Sequence, residues 1–113
     1  FKSAVVGAFD APVLTANLLF RVRSSQLLYG GSAAAARERI SGTLIGLELA
    51  AGLGKDQPNG DITLVASGRL QRLYRLAFDT LSVPVRSIDA EEAVRRGLSM
   101  AAGTIWKIVE DYK

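Results

Sequence analysis

Two short runs rich in β-branched residues, Ile62-Thr63-Leu64-Val65 and Pro84-Val85-Arg86-Ser87-Ile88, are separated by a stretch long enough for one helix. Each run is too brief for a helix and is bounded by turn formers, so each reads as a strand, with Pro84 suited to a first position. Strands joined by a helix pair in parallel, with a right-handed crossover. Two parallel strands alone leave both outer edges with unpaired backbone groups, which makes a poor sheet. The expectation is that the missing strands belong to polypeptide outside this chain; self-association across an open edge is the alternative. The opening on Phe1, without an initiator methionine, suggests a segment of something longer, and a processed mature protein also fits it.

Helices surround the pair. Residues 1–9 form one short helix, broken near Asp10-Ala11-Pro12 because proline disfavours helix at the preceding residue. Val13–Leu28 carries Leu14, Leu18, Leu19, Val22 and Leu27 as a helical stripe, and Tyr29-Gly30-Gly31-Ser32 is a loop with Ser32 as N-cap of the next helix. That helix runs from Ala33 to Leu53, with Ile40, Leu44, Leu47 and Ala51 at helical spacing. Gly42 and Gly46 sit inside it at about 1 kcal/mol each relative to alanine, so either something passes close by or they are merely tolerated. Lys55–Gly60 is a polar turn.

Strand Ile62–Val65 is expected to be buried, followed by the turn at Ser67-Gly68 and a helix from Arg69 to Leu81. On that helix Leu70, Leu73, Ala77 and Leu81 form one face, and Arg69, Arg72, Arg75 and Asp79 another. Asp89 caps the last helix, with Glu92 in a capping-box relation. Leu98 and Met100 lie within it, and the tail with Ile105, Trp106, Ile108, Val109 and Tyr112 extends it. The order is ααα-β-α-β-α, an α/β chain with a helical part over residues 1–54 and a βαβα part over 61–113.

The chain contains no Cys and no His, which removes thiol nucleophiles, the usual zinc sites and His-based triads. A net charge of +3 without clustered basic and aromatic residues argues against a nucleic-acid partner. No apolar run reaches the roughly 18 residues needed to cross a bilayer, so no membrane partner is expected.

The segment Ser41-Gly42-Thr43-Leu44-Ile45-Gly46-Leu47-Glu48-Leu49 resembles the S-G-x-L-I-G-x-E-L signature of the 2-dehydro-3-deoxygalactonokinase family. Leu18–Arg23 resembles that family's L-F-x-V-R segment, and Leu64–Leu70 followed by Tyr74 its strand–turn–helix element. Ile88-Asp89-Ala90, then Ala93 and Gly97-Leu98, is similar to its closing helix. The resemblance implies part of a ribonuclease-H-like lobe in the sugar kinase, heat-shock protein and actin superfold. It also implies ATP and magnesium as cofactors, cytoplasmic location, and phosphorylation of 2-dehydro-3-deoxy-D-galactonate to its 6-phosphate in galactonate breakdown. By the same resemblance the turn Ala66-Ser67-Gly68 lies beside adenosine, where small residues leave room for base and ribose. Related kinases favour Gly at the position of Ala66 and Pro at that of Gly68. The family's D-x-G-T and G-T-H-S-K-W elements are absent, so the phosphate grip falls to the remaining N-terminal part of the kinase, and this chain alone is expected to be inactive.

Plainer readings stand beside these. The Arg69, Arg72, Arg75 stripe is a solvated helix face before it is an anion contact. Ser67 and Gly68 make either an anion-holding helix start or an ordinary βα turn. Glu48 is functional or a partly exposed carboxylate, and Trp106 and Tyr112 are packing residues before they are stacking platforms. No carboxylate pair suggests a catalytic dyad and no metal ligands stand out. The rival to a kinase part is a small helical interaction or dimerisation domain without catalysis.

Overall fold

The computed structural model describes residues 1–54 and 61–111. The turn expected at Lys55–Gly60 and the residue Tyr112 lie outside the described residues. Helix α1 (Lys2–Asp10) stops ahead of Pro12, which opens a 3₁₀ turn, Pro12–Leu14, before α2 (Thr15–Tyr29). The 3₁₀ turn takes the place of the expected first helical turn. Proline brings no N–H to it, and the buried Thr15 hydroxyl donates to the Pro12 carbonyl at 2.7 Å. Gly30, at φ 67°, closes α2 in the left-handed conformation. Helix α3 (Ala33–Leu53) has the expected bounds, and the Ser32 Oγ accepts the Ala35 N–H at 3.1 Å as the N-cap.

The two interior glycines of α3 explain the fold's closest packing. A Cβ at Gly42 would lie 2.5 Å from the Phe1 carbonyl oxygen, and one at Gly46 would lie 2.5 Å from that of Val5. Helix α1 therefore lies backbone-close against α3, and the close-passing reading of the glycines holds. This contact also overturns the expected apolar stripe. The buried face of α3 is Gly42, Thr43, Ile45, Gly46 and Leu49, while Leu44 is 49% exposed and Ile40 and Ala51 also face outward. Both stripes have helical spacing; the glycine face wins because it alone admits another backbone. The expected stripe ahead of Leu28 holds in part: on α2 Val22 is buried and Leu18 and Leu19 are half-buried, while Leu27 and, in the 3₁₀ turn, Leu14 are exposed.

Strands β1 (Thr63–Ala66) and β2 (Arg86–Asp89) pair in parallel, from Thr63 opposite Arg86 to Ala66 opposite Asp89. They form a two-stranded sheet, with no further strand among the described residues. Pro84 stays outside β2, because the first ladder bond runs from the Arg86 N–H to the Ile62 carbonyl at 2.9 Å. β1 is not the buried strand expected. Its residues alternate, Leu64 and Ala66 half-buried and Val65 55% exposed, with α4 (Gly68–Thr80) packed on the strand. Gln71 Nε2 of α4 donates to Ser87 Oγ, opposite Leu64, at 2.9 Å.

Helix α4 ends in a Schellman motif. The Val83 N–H reaches the Phe78 carbonyl at 3.0 Å and the Ser82 N–H reaches that of Asp79 at 3.1 Å. Ser82 sits at φ 56°, where glycine is the usual choice. The motif buries Val83 against Phe78, which with Val5, Ile45, Leu49 and Ala77 makes the core. Phe78 is a core residue that the expected α4 face omitted, while Leu70 of that face is 60% exposed.

Helix α5 (Ala90–Asp111) runs on through the tail as expected, and among the described residues packs chiefly on β1 and β2. Asp89 caps it by accepting the Glu91 N–H at 2.9 Å, but the expected box does not close: Glu92 turns down the helix to Arg96 at 3.1 Å. Because α5 projects, the radius of gyration is 19.8 Å, against about 13 Å for a compact chain of this size. Among the described residues, no single helix is long and apolar enough to cross a membrane.

Candidate functional site

Ligands of open α/β sheets bind beyond the carboxyl ends of the strands. Those ends are Ala66 and Asp89, paired in register, and a helix starts immediately after each. The two starts differ. At α5, the Asp89 carboxylate already accepts a backbone N–H, and Glu91 and Glu92 occupy the first turn, so this pole is held by the chain's own negative charge. At α4, Ser67 is the N-cap in extended conformation, yet its side chain makes no capping hydrogen bond. Gly68 follows at φ 59°, and a Cβ there would meet nothing within 4 Å, so backbone conformation rather than space calls for glycine. The turn Ala66-Ser67-Gly68 is thus small, open and at the positive end of a helix dipole.

Beside it lies an open cleft of about 620 Å³, within the range of small-molecule sites. Phe1 with Lys2 and Ser3 of α1, Glu38 and Ser41 of α3, and Arg69, Arg72, Leu73 and Leu76 of α4 line it. Arg69, the residue after Gly68, lines the cleft, whereas Ala66, Ser67 and Gly68 themselves do not. The arginine stripe therefore divides: Arg69 and Arg72 border the cleft, while Arg75 and Asp79 are simply exposed. Neither cleft arginine has an ion-pair partner among the described residues. The sequence did not reveal Lys2, Ser3, Glu38 and Ser41 as cleft residues, because three elements far apart in the chain must meet to make the cleft.

Glu48 has a partner that sequence reading missed: the Tyr74 hydroxyl of α4 donates to its carboxylate. The Tyr74 phenol is pushed up to about 12, first by burial, then by the hydrogen bond to Glu48 and its negative charge. The signal was a carboxylate inside an apolar helix, but nothing in spacing links it to a tyrosine 26 residues away. Trp106, expected in packing, is 71% exposed. Among the described residues no three Asp, Glu, His or Cys side chains gather around a metal position.

The family model for 2-keto-3-deoxy-galactonokinase matches residues 1–101, from α1 into α5, and so includes the turn and every residue of the cleft. The chain belongs to the 2-keto-3-deoxy-galactonokinase family. A family relative from Rhizobium meliloti (strain 1021), named "Probable 2-dehydro-3-deoxygalactonokinase DgoK1", is 49% identical over 108 residues, which is 96% of this chain and 35% of the relative. A crystal structure of a 2-dehydro-3-deoxygalactonokinase-type protein from Sinorhizobium meliloti superposes with a TM-score of 0.85 at 51% identity, over 94% of this chain and 35% of that one. The chain thus spans about a third of the length of the 2-keto-3-deoxy-galactonokinase family proteins it matches.

Proposed function

We propose that this chain is the part of an ATP-dependent 2-dehydro-3-deoxy-D-galactonate kinase that supplies adenosine-side surface and lobe packing. The whole protein would transfer the γ-phosphoryl group of ATP to the substrate's 6-hydroxyl, in the cytoplasm, as a step of galactonate breakdown. Membership of the kinase family carries the reading, and the geometry at the carboxyl end of β1 fits it. Small residues make the turn, a Cβ at Gly68 would meet nothing within 4 Å, and the next residue, Arg69, borders a cleft of suitable size. The D-x-G-T and G-T-H-S-K-W elements that grip phosphate and magnesium in the family are absent from this sequence, so magnesium and the triphosphate are assigned to the rest of the polypeptide, in a second part of a ribonuclease-H-like pair of lobes.

The lobe-packing role falls to the open sheet edges and to α5. Val94, Leu98, Ala101 and Ile105 recur at alternating spacings of four and three, the pattern of a helix seam, and all are exposed. The remaining two-thirds of the kinase is the proposed cover.

Ser67→Trp in the complete kinase tests the assignment. The indole would fill the space above the turn, and the KM for ATP should rise while that for the sugar acid stays. An unchanged KM for ATP would remove adenosine from Ala66-Ser67-Gly68.

A further inference from the structure

Among the described residues, only two side-chain-to-side-chain hydrogen bonds join different elements, and both end on α4 within a turn of each other. Gln71 ties the helix to β2 through Ser87, and Tyr74 ties it to α3 through Glu48. Helices α3 and α4 are also opposite walls of the cleft: Glu38 and Ser41 stand on one, Arg69, Arg72, Leu73 and Leu76 on the other. The core joins the two walls through Ile45 and Leu49 of α3 and Ala77 and Phe78 of α4, and the Tyr74–Glu48 bond adds a side-chain hydrogen bond between the same two helices. Tyr74 neighbours the cleft residue Leu73 in sequence, and its ring packs against the core, which leaves the hydroxyl as the adjustable end of a rigid arm. Glu48 stands two turns along α3 from Ser41.

We infer that Tyr74 and Glu48 are positioning residues, a strut between α3 and α4 that sets the width of the cleft and the aim of Arg69 and the Ser67-Gly68 turn for the nucleotide. The inference rests on the adenosine reading above. The strut touches no reacting atom; it acts through the two walls. The raised phenol of Tyr74 agrees with it, because the hydroxyl keeps its proton, and hence its donor role, throughout the physiological range.

Steady-state kinetics on the complete kinase separate this inference from the reading beneath it. Tyr74→Phe and Glu48→Ala should each raise the KM for ATP, by at most about tenfold, since the pair acts on nucleotide binding only through the walls and one hydrogen bond's net worth bounds the effect. The kcat and the KM for the sugar acid should stay unchanged. Glu48→Gln keeps an acceptor and should restore the KM for ATP, and the Tyr74→Phe/Glu48→Ala double variant should be no worse than the weaker single, as members of one pair behave. Glu48 is exposed, so its variants report even if Tyr74→Phe folds poorly. If Ser67→Trp raises the KM for ATP and the strut variants do not, the strut is refuted and the adenosine reading stands. If none of them moves it, both fall. A joint change in kcat, both KM values and thermal midpoint would mark the pair as merely structural and overturn the inference.

Discussion

Replacing Gly46 by alanine sets two effects of opposite sign against each other. In a helix interior, Gly→Ala contributes about 1 kcal/mol of stability through backbone propensity. Against it, the new methyl carbon would sit 2.5 Å from the Val5 carbonyl oxygen, nearly 1 Å inside the 3.4 Å at which ordinary contact begins, and 3.1 Å from Ala8 Cβ. The obstructing atom is backbone, so no side-chain rotation relieves the clash and α1 itself must retreat. Retreat loosens Val5 and Ala8, the two fully buried residues by which α1 holds the core. A radial gap approaching 1 Å forfeits up to about half of each affected van der Waals contact. Overpacking of this kind costs typically 1–3 kcal/mol, and the rigid partner puts this case near about 3. Offset by the propensity gain, the expected net loss is about 2 kcal/mol.

Urea denaturation of the complete kinase, followed by circular dichroism, measures that loss as a lowered midpoint at constant slope. Gly52→Ala is the internal control. It lies on the same helix, is exposed, and has nothing within 4 Å of its would-be Cβ, so it should gain about 0.5–1 kcal/mol. Should Gly46→Ala prove as stable as the parent, or follow Gly52→Ala upward, the close approach of α1 and α3 would be wrong. The account of why the glycine face is the buried one would then be lost as well.

Two further outcomes follow from the strut and the seam. Ultraviolet titration should find the Tyr74 phenol ionising near pH 12 rather than at its ordinary 10.0, and Glu48→Gln should bring it down by removing the neighbouring charge. Because the folded value is the higher one, the associated stability is complete below about pH 10 and is lost as pH rises through about 12. Leu98→Asp, on the exposed α5 seam, should lower the thermal midpoint of the complete kinase yet raise the solubility of the 113-residue chain alone; equal behaviour in both would refute an intramolecular cover.

Element order, the parallel pairing, the Ser32 cap and the continuation of α5 through the tail could all be read from local chemistry: turn residues, β-branched runs, and a hydroxyl placed before an alanine run. Facing was harder. Helix α3 is apolar on more than one side, so periodicity alone offered two equivalent stripes, and only a partner backbone could choose between them. Ser82 gave no sign of its left-handed backbone, because serine carries no preference for it; the Schellman bonds and the burial of Val83 on Phe78 impose it. The turn at Ala66-Ser67-Gly68 could be read locally, whereas its cleft depends on α1, α3 and α4 meeting, which is a property of packing.

The distribution of the core bears on how a nucleotide would be held. Val5, Ile45 and Leu49 precede the connection at 55–60 and Ala77, Phe78 and Val83 follow it, so one cluster welds α1, α3 and α4 together. Helix α4 is thus fixed from its middle to its end by burial, and the Ser67-Gly68 turn is carried on the start of an already anchored element. The sheet edges and α5 hang from the other side of that element with little of their apolar surface covered. Binding surface and docking surface are therefore mechanically separable. A charge on the α5 seam should leave the KM for ATP of whatever enzyme still folds near the parent value, and a bulky residue at Ser67 should leave the thermal midpoint near it. If either change moved both quantities together, the turn and the seam would be one cooperative surface, and the division of labour drawn from this core would be wrong.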